Sequence, residues 1–298
     1  MKINLIGVPI FYGCDKPGVD LGPDTLRKNG LLELFEREHS ITDLGNISVN
    51  NISSDEKFVC NSKMKYMSEV KRINENLADK VYNSLNDNNF PLIVGGDHSL
   101  ALGSVAGAAK YFKEDFAIIW IDAHGDINTD ESSPSGNIHG MPLAASMGIG
   151  NDHLTTLYSA NSKVNSKNVY ILGARDLDEG ELKLIEEKSL NVWTMNNIKE
   201  KGLINCLDEL ISKLNKSKVN NIHLSFDIDS LDPEFTPGTG TPVNDGLTLE
   251  AGKKIINTIL STKKVKSLDF VEFNPTLDDT DTTLNTCFEL LREINTSL

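Results

Sequence analysis

Short runs dense in Ile, Val and Leu alternate along this chain with stretches whose apolar residues recur every three or four positions. The runs are Leu92–Val94, Ala117–Ile121, Val169–Leu172, Ile222–Phe226 and Val265–Val271, and a first one, Ile3–Ile10, opens the sequence. Between them, Met67, Val70, Ile73, Leu77, Val81 and Leu85 mark one amphipathic helix. A second carries Leu203, Cys206, Leu207, Leu210, Ile211 and Leu214, and a third Leu284, Phe288, Leu291 and Ile294. Strands apolar on both faces suit a parallel sheet covered by helices on both sides. With no internal repeat, low-complexity tract or Pro/Ser-rich linker, residues 1–298 read as one α/β domain.

The strand-like runs end in polar motifs. Asp122-Ala-His124-Gly-Asp126 follows Phe116–Ile121, Asp227-Ile-Asp229 follows Asn221–Phe226, and Gly95-Gly-Asp97-His98 follows Pro91–Val94. On an extended chain, residues i, i+2 and i+4 share one face, about 6.6 Å apart per two residues, which places side chains around a metal. Open parallel sheets bind their ligands outside the carboxyl ends of the strands, where these motifs fall. A single strand-end Asp is ordinarily a helix cap or an Asx turn. Three such motifs together are not explained that way. His98, Asp122, His124, Asp126, Asp227 and Asp229 offer two imidazoles and four carboxylates, more than one tetrahedral zinc takes. A two-metal cluster follows. Carboxylate-rich coordination without thiolate favours a harder ion such as manganese(II), with cobalt, iron or nickel also compatible with imidazole. Asp97, beside His98, suits a partner that holds a ligand rather than a ligand itself. A paired site lowers the pKa of water toward about 7 and so supplies hydroxide. No serine-nucleophile elbow, phosphate loop or dinucleotide motif offers a rival chemistry.

Charge narrows the partners. Lys plus Arg total 29 against 43 Asp plus Glu, a net −14, which argues against nucleic acid and anionic membranes and for cationic substrates or metal ions. The four cysteines are widely spaced with no CxxC pair, which indicates a reducing cytoplasm rather than a disulfide framework or a zinc ribbon. Asn4 and Pro9 interrupt the apolar opening, so it predicts a strand and not a signal peptide, and no run is long enough to span a membrane.

GGDHS (95–99), DAHGDIN (122–128), SPSGNIHGMP (133–142), SFDIDSLDP (225–233), TPGTGTP (236–242) and EFNP (272–275) together resemble the ureohydrolase family, most of all its bacterial arginases. The resemblance runs from Gly18-Val-Asp-Leu-Gly-Pro23 to Pro275. It implies a single three-layer α/β/α domain with a parallel sheet, two manganese ions, and assembly into trimers or hexamers. By position, one ion would take His98, Asp122, Asp126 and Asp227 and the other Asp122, His124, Asp227 and Asp229, with Asp122 and Asp227 bridging. It further implies hydrolysis of L-arginine to L-ornithine and urea, in which hydroxide held between the metals attacks the guanidinium carbon. That carbon is a poor electrophile in a group that stays protonated at physiological pH. Asp126 would orient the hydroxide and pass its proton to the leaving nitrogen. Glu272 would pair with the guanidinium and His139 would shuttle protons, with Thr241 a nearby hydroxyl.

Substrate choice rests on the Ser-Gly-rich loop. Ser135 and Asn137 are neutral donors suited to an α-carboxylate, with Asn128 able to join them, and agmatine has no such group to offer. Asp178 and Glu181 match positions that take up the α-amino group, yet Asp178-Glu-Gly-Glu181 is equally a capping box for a helix bearing Leu182 and Ile185. Gly125 stands where many relatives carry Thr or Ala, and Ser230 where Gly is frequent, so loop geometry near both is a point of departure. The alternatives are another ureohydrolase acting on agmatine or a guanidino acid, a metal-loaded arginine-binding protein without turnover, and a dinuclear phosphoesterase. The last is disfavoured by the lack of Lys or Arg beside the metal motifs.

Overall fold

The computed structural model describes all residues 1–298. Eight strands form one sheet: β1 Lys2–Val8, β2 Ser40–Asn46, β3 Phe90–Gly95, β4 Ala117–Ile121, β5 Val169–Leu172, β6 Asn191–Trp193, β7 Ile222–Asp227 and β8 Val265–Val271. Their order is β2-β1-β3-β8-β7-β4-β5-β6, and every pairing is parallel. The order reverses where β8 and β7 insert between β3 and β4, so the crevice expected of such a reversal lies over the four central strands.

Alternate residues of β1, β3, β4 and β5 feed two separate cores, of 40 and 39 buried residues. Ile6, Val8, Ile93, Ile118, Trp120 and Ile171 face helices Met67–Asn86 and Ala101–Phe112. Leu5, Leu92, Ile119, Leu172, Leu224 and Phe270 face helices Leu203–Ser217, Leu249–Leu260 and Thr282–Ser297. The result is the expected three-layer α/β/α architecture. No helix is long and apolar enough to cross a membrane.

Two strands depart from the doubly apolar pattern. On the first face β7 and β8 present His223, Ser225, Asp227, Ser267 and Asp269, all buried. His223 contacts Ser267 Oγ at 2.8 Å and Asp269 Oδ2 at 2.9 Å, and Ser104 Oγ donates to Asp269 at 2.5 Å. The first strand is shorter than Ile3–Ile10, ending at Val8 ahead of Pro9. Two edge strands, β2 and β6, are missing from the sequence reading. β2 is largely exposed and carries Thr42, Asp43 and Gly45, and β6 has three residues, so neither shows a strand-like apolar run. The capping box at Asp178 and Glu181 is formed, but Leu182 is exposed rather than packed; Leu184 and Ile185 are the helix's apolar contacts with the core.

Close backbone approach seats the site's first segment. A Cβ on Gly96 would lie 2.0 Å from the carbonyl oxygen of Ile10, so the Gly95-Gly96 turn rests directly on the chain leaving β1. A Cβ on Gly103 would meet the Asn74 carbonyl oxygen at 2.4 Å, while the Gly103 N–H donates to Asn74 Oδ1 at 2.7 Å. Helix Ala101–Phe112 therefore lies against Met67–Asn86 with little side chain between, which fixes where the preceding His98 points.

Candidate metal centre

His98, Asp122, His124, Asp126, Asp227, Asp229 and Glu272 reach one site from the ends of β3, β4, β7 and β8, the four adjacent central strands. His98 Nε2 meets Ser225 Oγ at 2.8 Å, and its ring stacks on Trp120 at 4.0 Å between centroids. That leaves Nδ1 facing Asp122, Asp126 and Asp227, with a carboxylate oxygen of each at 3.1 Å. None is placed to hydrogen-bond with it, and Nδ1 is a buried nitrogen without a partner. A nitrogen lone pair and three carboxylate oxygens gathered around one point are the donor set of a cation, not of a hydrogen-bond network. The second cluster joins His124 Nδ1 to Asp229 Oδ2 at 3.1 Å and Asp122 Oδ1 at 3.3 Å. Within each of the groups His98–Asp122–Asp227 and Asp122–His124–Asp229, donor atoms lie within 4.8 Å of one another, and Asp122 belongs to both.

The protonation states carry the same message. Burial and then the Asp229 and Asp122 charges push Asp227 well above the usual carboxylate range, and burial with Asp122 raises Asp126 to about 6. Burial depresses His98, but its three aspartates outweigh that and hold the imidazole well above its ordinary value. Burial also works against Asp122, which His124 and His98 nonetheless hold low. Carboxylates this crowded in low dielectric need cations among them, and a bound ion inverts these shifts.

Supporting contacts hold several of these candidate ligands. Trp120 Nε1 donates to Asp122 Oδ2 at 2.9 Å, and Thr241 Oγ1 donates to Asp229 Oδ2 at 3.1 Å. The Arg175 guanidinium donates to the carbonyls of Asp229, Ser230 and Leu231 and to that of Val243, pinning the turn after β7. Asp97 accepts from the N–H groups of Gly13, Cys14 and Ser99, so it anchors the loop after β1 to the turn carrying His98. Ser230 needs no left-handed backbone; its Oγ donates to the Asp227 carbonyl. A Cβ on Gly125 would approach Glu181 Oε1 to 2.8 Å, so glycine here admits the buried Glu181.

The candidate ligands floor a cavity of about 270 Å³ that no hydrophobic residue lines. Its wall includes Asn128, Ser135, Asn137, His139, Asp178, Glu181, Thr241 and Glu272, but no Lys or Arg. Glu272 Oε1 accepts the His98 N–H at 2.8 Å and faces His139 Nδ1 at 3.2 Å, while Oε2 is buried without a partner. Asn128 Nδ2 donates to Asp178 Oδ2 at 2.7 Å and its Oδ1 accepts from Ser132. Glu181 accepts from the Ile127 and Asp178 N–H groups, and burial followed by the Asp126 charge raises it to about 8.

The arginase-family model matches residues 1–296. Arginase from Bacillus caldovelox is 41% identical over 290 residues, covering 97% of this chain and 96% of that one. The crystal structure of arginase from Bacillus cereus superposes with a TM-score of 0.91 at 40% identity, covering 99% and 98% of the two chains. Entamoeba histolytica arginase, solved in complex with L-ornithine, gives 0.90 at 34% identity with 98% of each chain covered. The chain belongs to the arginase family. All residues that the ureohydrolase resemblance assigned to the metals, the proton relay and the substrate converge on this arginase-family cavity or directly beneath it. Trp120, Ser225, Arg175, Cys14 and Lys65 were not singled out. The first two had a signal, since each stands two positions before a ligand aspartate on the same strand face. Lys65 had none; it reaches Asn137 from 72 positions away.

Proposed function

We propose that this chain is a manganese-dependent arginase that hydrolyses L-arginine to L-ornithine and urea, with two ions held by His98, Asp122, Asp126 and Asp227 and by Asp122, His124, Asp227 and Asp229. The observation that carries this reading is the pair of histidine–carboxylate groups sharing Asp122 at the floor of an acidic cavity. What the ions supply when bound is Lewis acidity that brings the pKa of water toward about 7. Carboxylates and imidazoles in place of thiolates favour manganese(II).

The protein's own groups do the rest. Asp126 sits over the His98 cluster at 3.1 Å, placed to orient the attacking water and pass its proton to the leaving nitrogen. The unpartnered Glu272 Oε2 gives the guanidinium a buried carboxylate, and His139 beside Oε1 is placed to relay protons to bulk water. Ser135, Asn137 and Asn128 serve the α-carboxylate, and Asp178 with Glu181 the α-amino group, the capping box doubling as that subsite. The absence of cations from the cavity lining favours a guanidinium over a phosphorylated substrate.

We read residues 1–298 as one domain on the strength of a single sheet drawing strands from Lys2 to Val271. Four unpaired cysteines fit a cytoplasmic protein, and trimers or hexamers are the expected assembly. The deciding experiment measures urea and ornithine from arginine and from agmatine, with manganese added or chelated. Arginine turnover that needs manganese and exceeds agmatine turnover is expected. Faster agmatine turnover would reassign the substrate; no turnover of either would leave a binding protein.

A further inference from the structure

Asn137 lines the cavity, but its side chain is held from behind. Its Oδ1 accepts from Lys65 Nζ at 2.7 Å, and its Nδ2 donates to the Cys14 carbonyl at 3.0 Å. An ammonium can only donate and a carbonyl can only accept, so the amide has one orientation. Its oxygen is turned to Lys65, and the second hydrogen of Nδ2 has no acceptor in the protein. Lys65 also pairs with Asp15 Oδ2 at 3.1 Å, the oxygen that Lys57 Nζ meets at 2.7 Å. Two ammonium groups on one carboxylate leave a net positive charge behind a wall that itself carries no cation. The Lys65 side chain is 17% exposed, so that charge is only partly screened. The backbone is tied as well. Lys65 N–H donates to the Gly136 carbonyl, and Gly136 holds φ +71 with its would-be Cβ 2.6 Å from the Lys63 carbonyl oxygen.

We infer that Lys65 is a specificity-positioning residue, resting on the reading of Asn137 as the α-carboxylate contact: it locks the Asn137 amide as a donor toward the cavity and, with Lys57 over Asp15, supplies the positive field that selects substrates bearing a carboxylate. The wall can thus favour an amino acid without setting a cation against the guanidinium. A site of neutral donors alone would gain far less from the carboxylate, because a carboxylate loses its hydration on entering.

The test uses the manganese-loaded protein and the variants Lys65→Met, Lys65→Gln and Lys65→Arg. Arginine kinetics are paired with calorimetric binding of L-ornithine and of putrescine, which lacks the carboxylate. Lys65→Met is expected to raise KM for arginine about tenfold or more with kcat within twofold. It should weaken L-ornithine to a similar degree and leave putrescine unchanged. Lys65→Gln, which keeps a donor but no charge, should fall between, and Lys65→Arg should stay within about threefold of the parent. Equal weakening of L-ornithine and putrescine, or an unchanged KM and L-ornithine affinity, would overturn the inference. Loss in Lys65→Arg as severe as in Lys65→Met would point to loop packing and overturn it too. Failure of the arginase reading shows differently, as no urea from the parent protein while the L-ornithine preference still responds to Lys65.

Discussion

At residue scale, the backbone is strained at two residues for which chemistry is proposed. Asp126 (φ 51) and Glu272 (φ 69) both sit in the left-handed region, which costs a non-glycine residue about 1–2 kcal/mol. For Asp126 the strain aims the side chain at His98 while its carbonyl accepts from the N–H of Leu143, capping the helix Pro142–Ser146. Nothing in the motif spelling reveals this, since φ is set by what the loop packs against. Trp120 makes the complementary case, because its role was legible in the two-residue spacing to Asp122. Trp120→Phe keeps a ring against His98 and removes only the N–H on Asp122. We expect about a tenfold loss of manganese affinity, the usual scale for a partner holding a ligand, with little change in kcat at saturating metal. Metal titration of activity checks it; an unchanged titration midpoint would mean that Asp122 is held without the indole.

At the scale of elements, the strands that follow the doubly apolar rule were legible and the exceptions mark either an edge or the site. β4 and β5 are apolar throughout, and their bounds follow from the sequence within a residue. β7 and β8 alternate, and their polar face is buried rather than solvated, so alternation here signals the His223–Asp269–Ser104 cluster beneath the candidate metal centre. The cluster links β7, β8 and helix Ala101–Phe112, the elements adjoining Asp227, Glu272 and His98. A second tie was illegible because it joins a helix to an irregular loop. Glu69, on the helix Met67–Asn86, accepts from the Asn50 N–H at 2.7 Å and from Arg72 Nη2 at 2.6 Å. Burial alone would raise Glu69, but Arg72 and Asn50 outweigh it and hold the carboxyl below its ordinary value. Its stabilisation is therefore complete above the unfolded carboxyl range near pH 4.5 and fades as pH falls through the lower folded value. Glu69→Gln should cost about 1–3 kcal/mol at pH 7, and that gap should narrow below pH 4.5. Urea unfolding of both proteins across pH checks it, and a gap that stays constant with pH would remove the carboxylate's charge from the explanation.

For the whole molecule, eight of the 43 acidic residues gather at one site. Asp126, Asp176, Asp178, Glu181, Asp227, Asp229 and Glu272 all line one cavity, with Asp122 buried beneath it. The fold can gather them because four adjacent parallel strands, β8, β7, β4 and β5, all end on this side of the sheet. Such a gathering is destabilising on its own, since like charges about 4 Å apart repel by about 4 kcal/mol even at an effective dielectric of about 20. Metal binding thus contributes to folding as well as to chemistry. At a thousandfold excess over Kd one ion stabilises by about 4 kcal/mol, which for a chain of this size is about 6 °C in Tm. Exhaustive chelation should lower Tm by at least that much, and manganese should restore it in a concentration-dependent way. Because all the candidate ligands except the part-exposed His124 are buried, mobile ions cannot stand in for bound ones, and raising sodium chloride to about 0.5 M should recover less than a third of the loss. If sodium chloride restored Tm as fully as manganese, the acidity would be a property of the general surface and not of a built cation site.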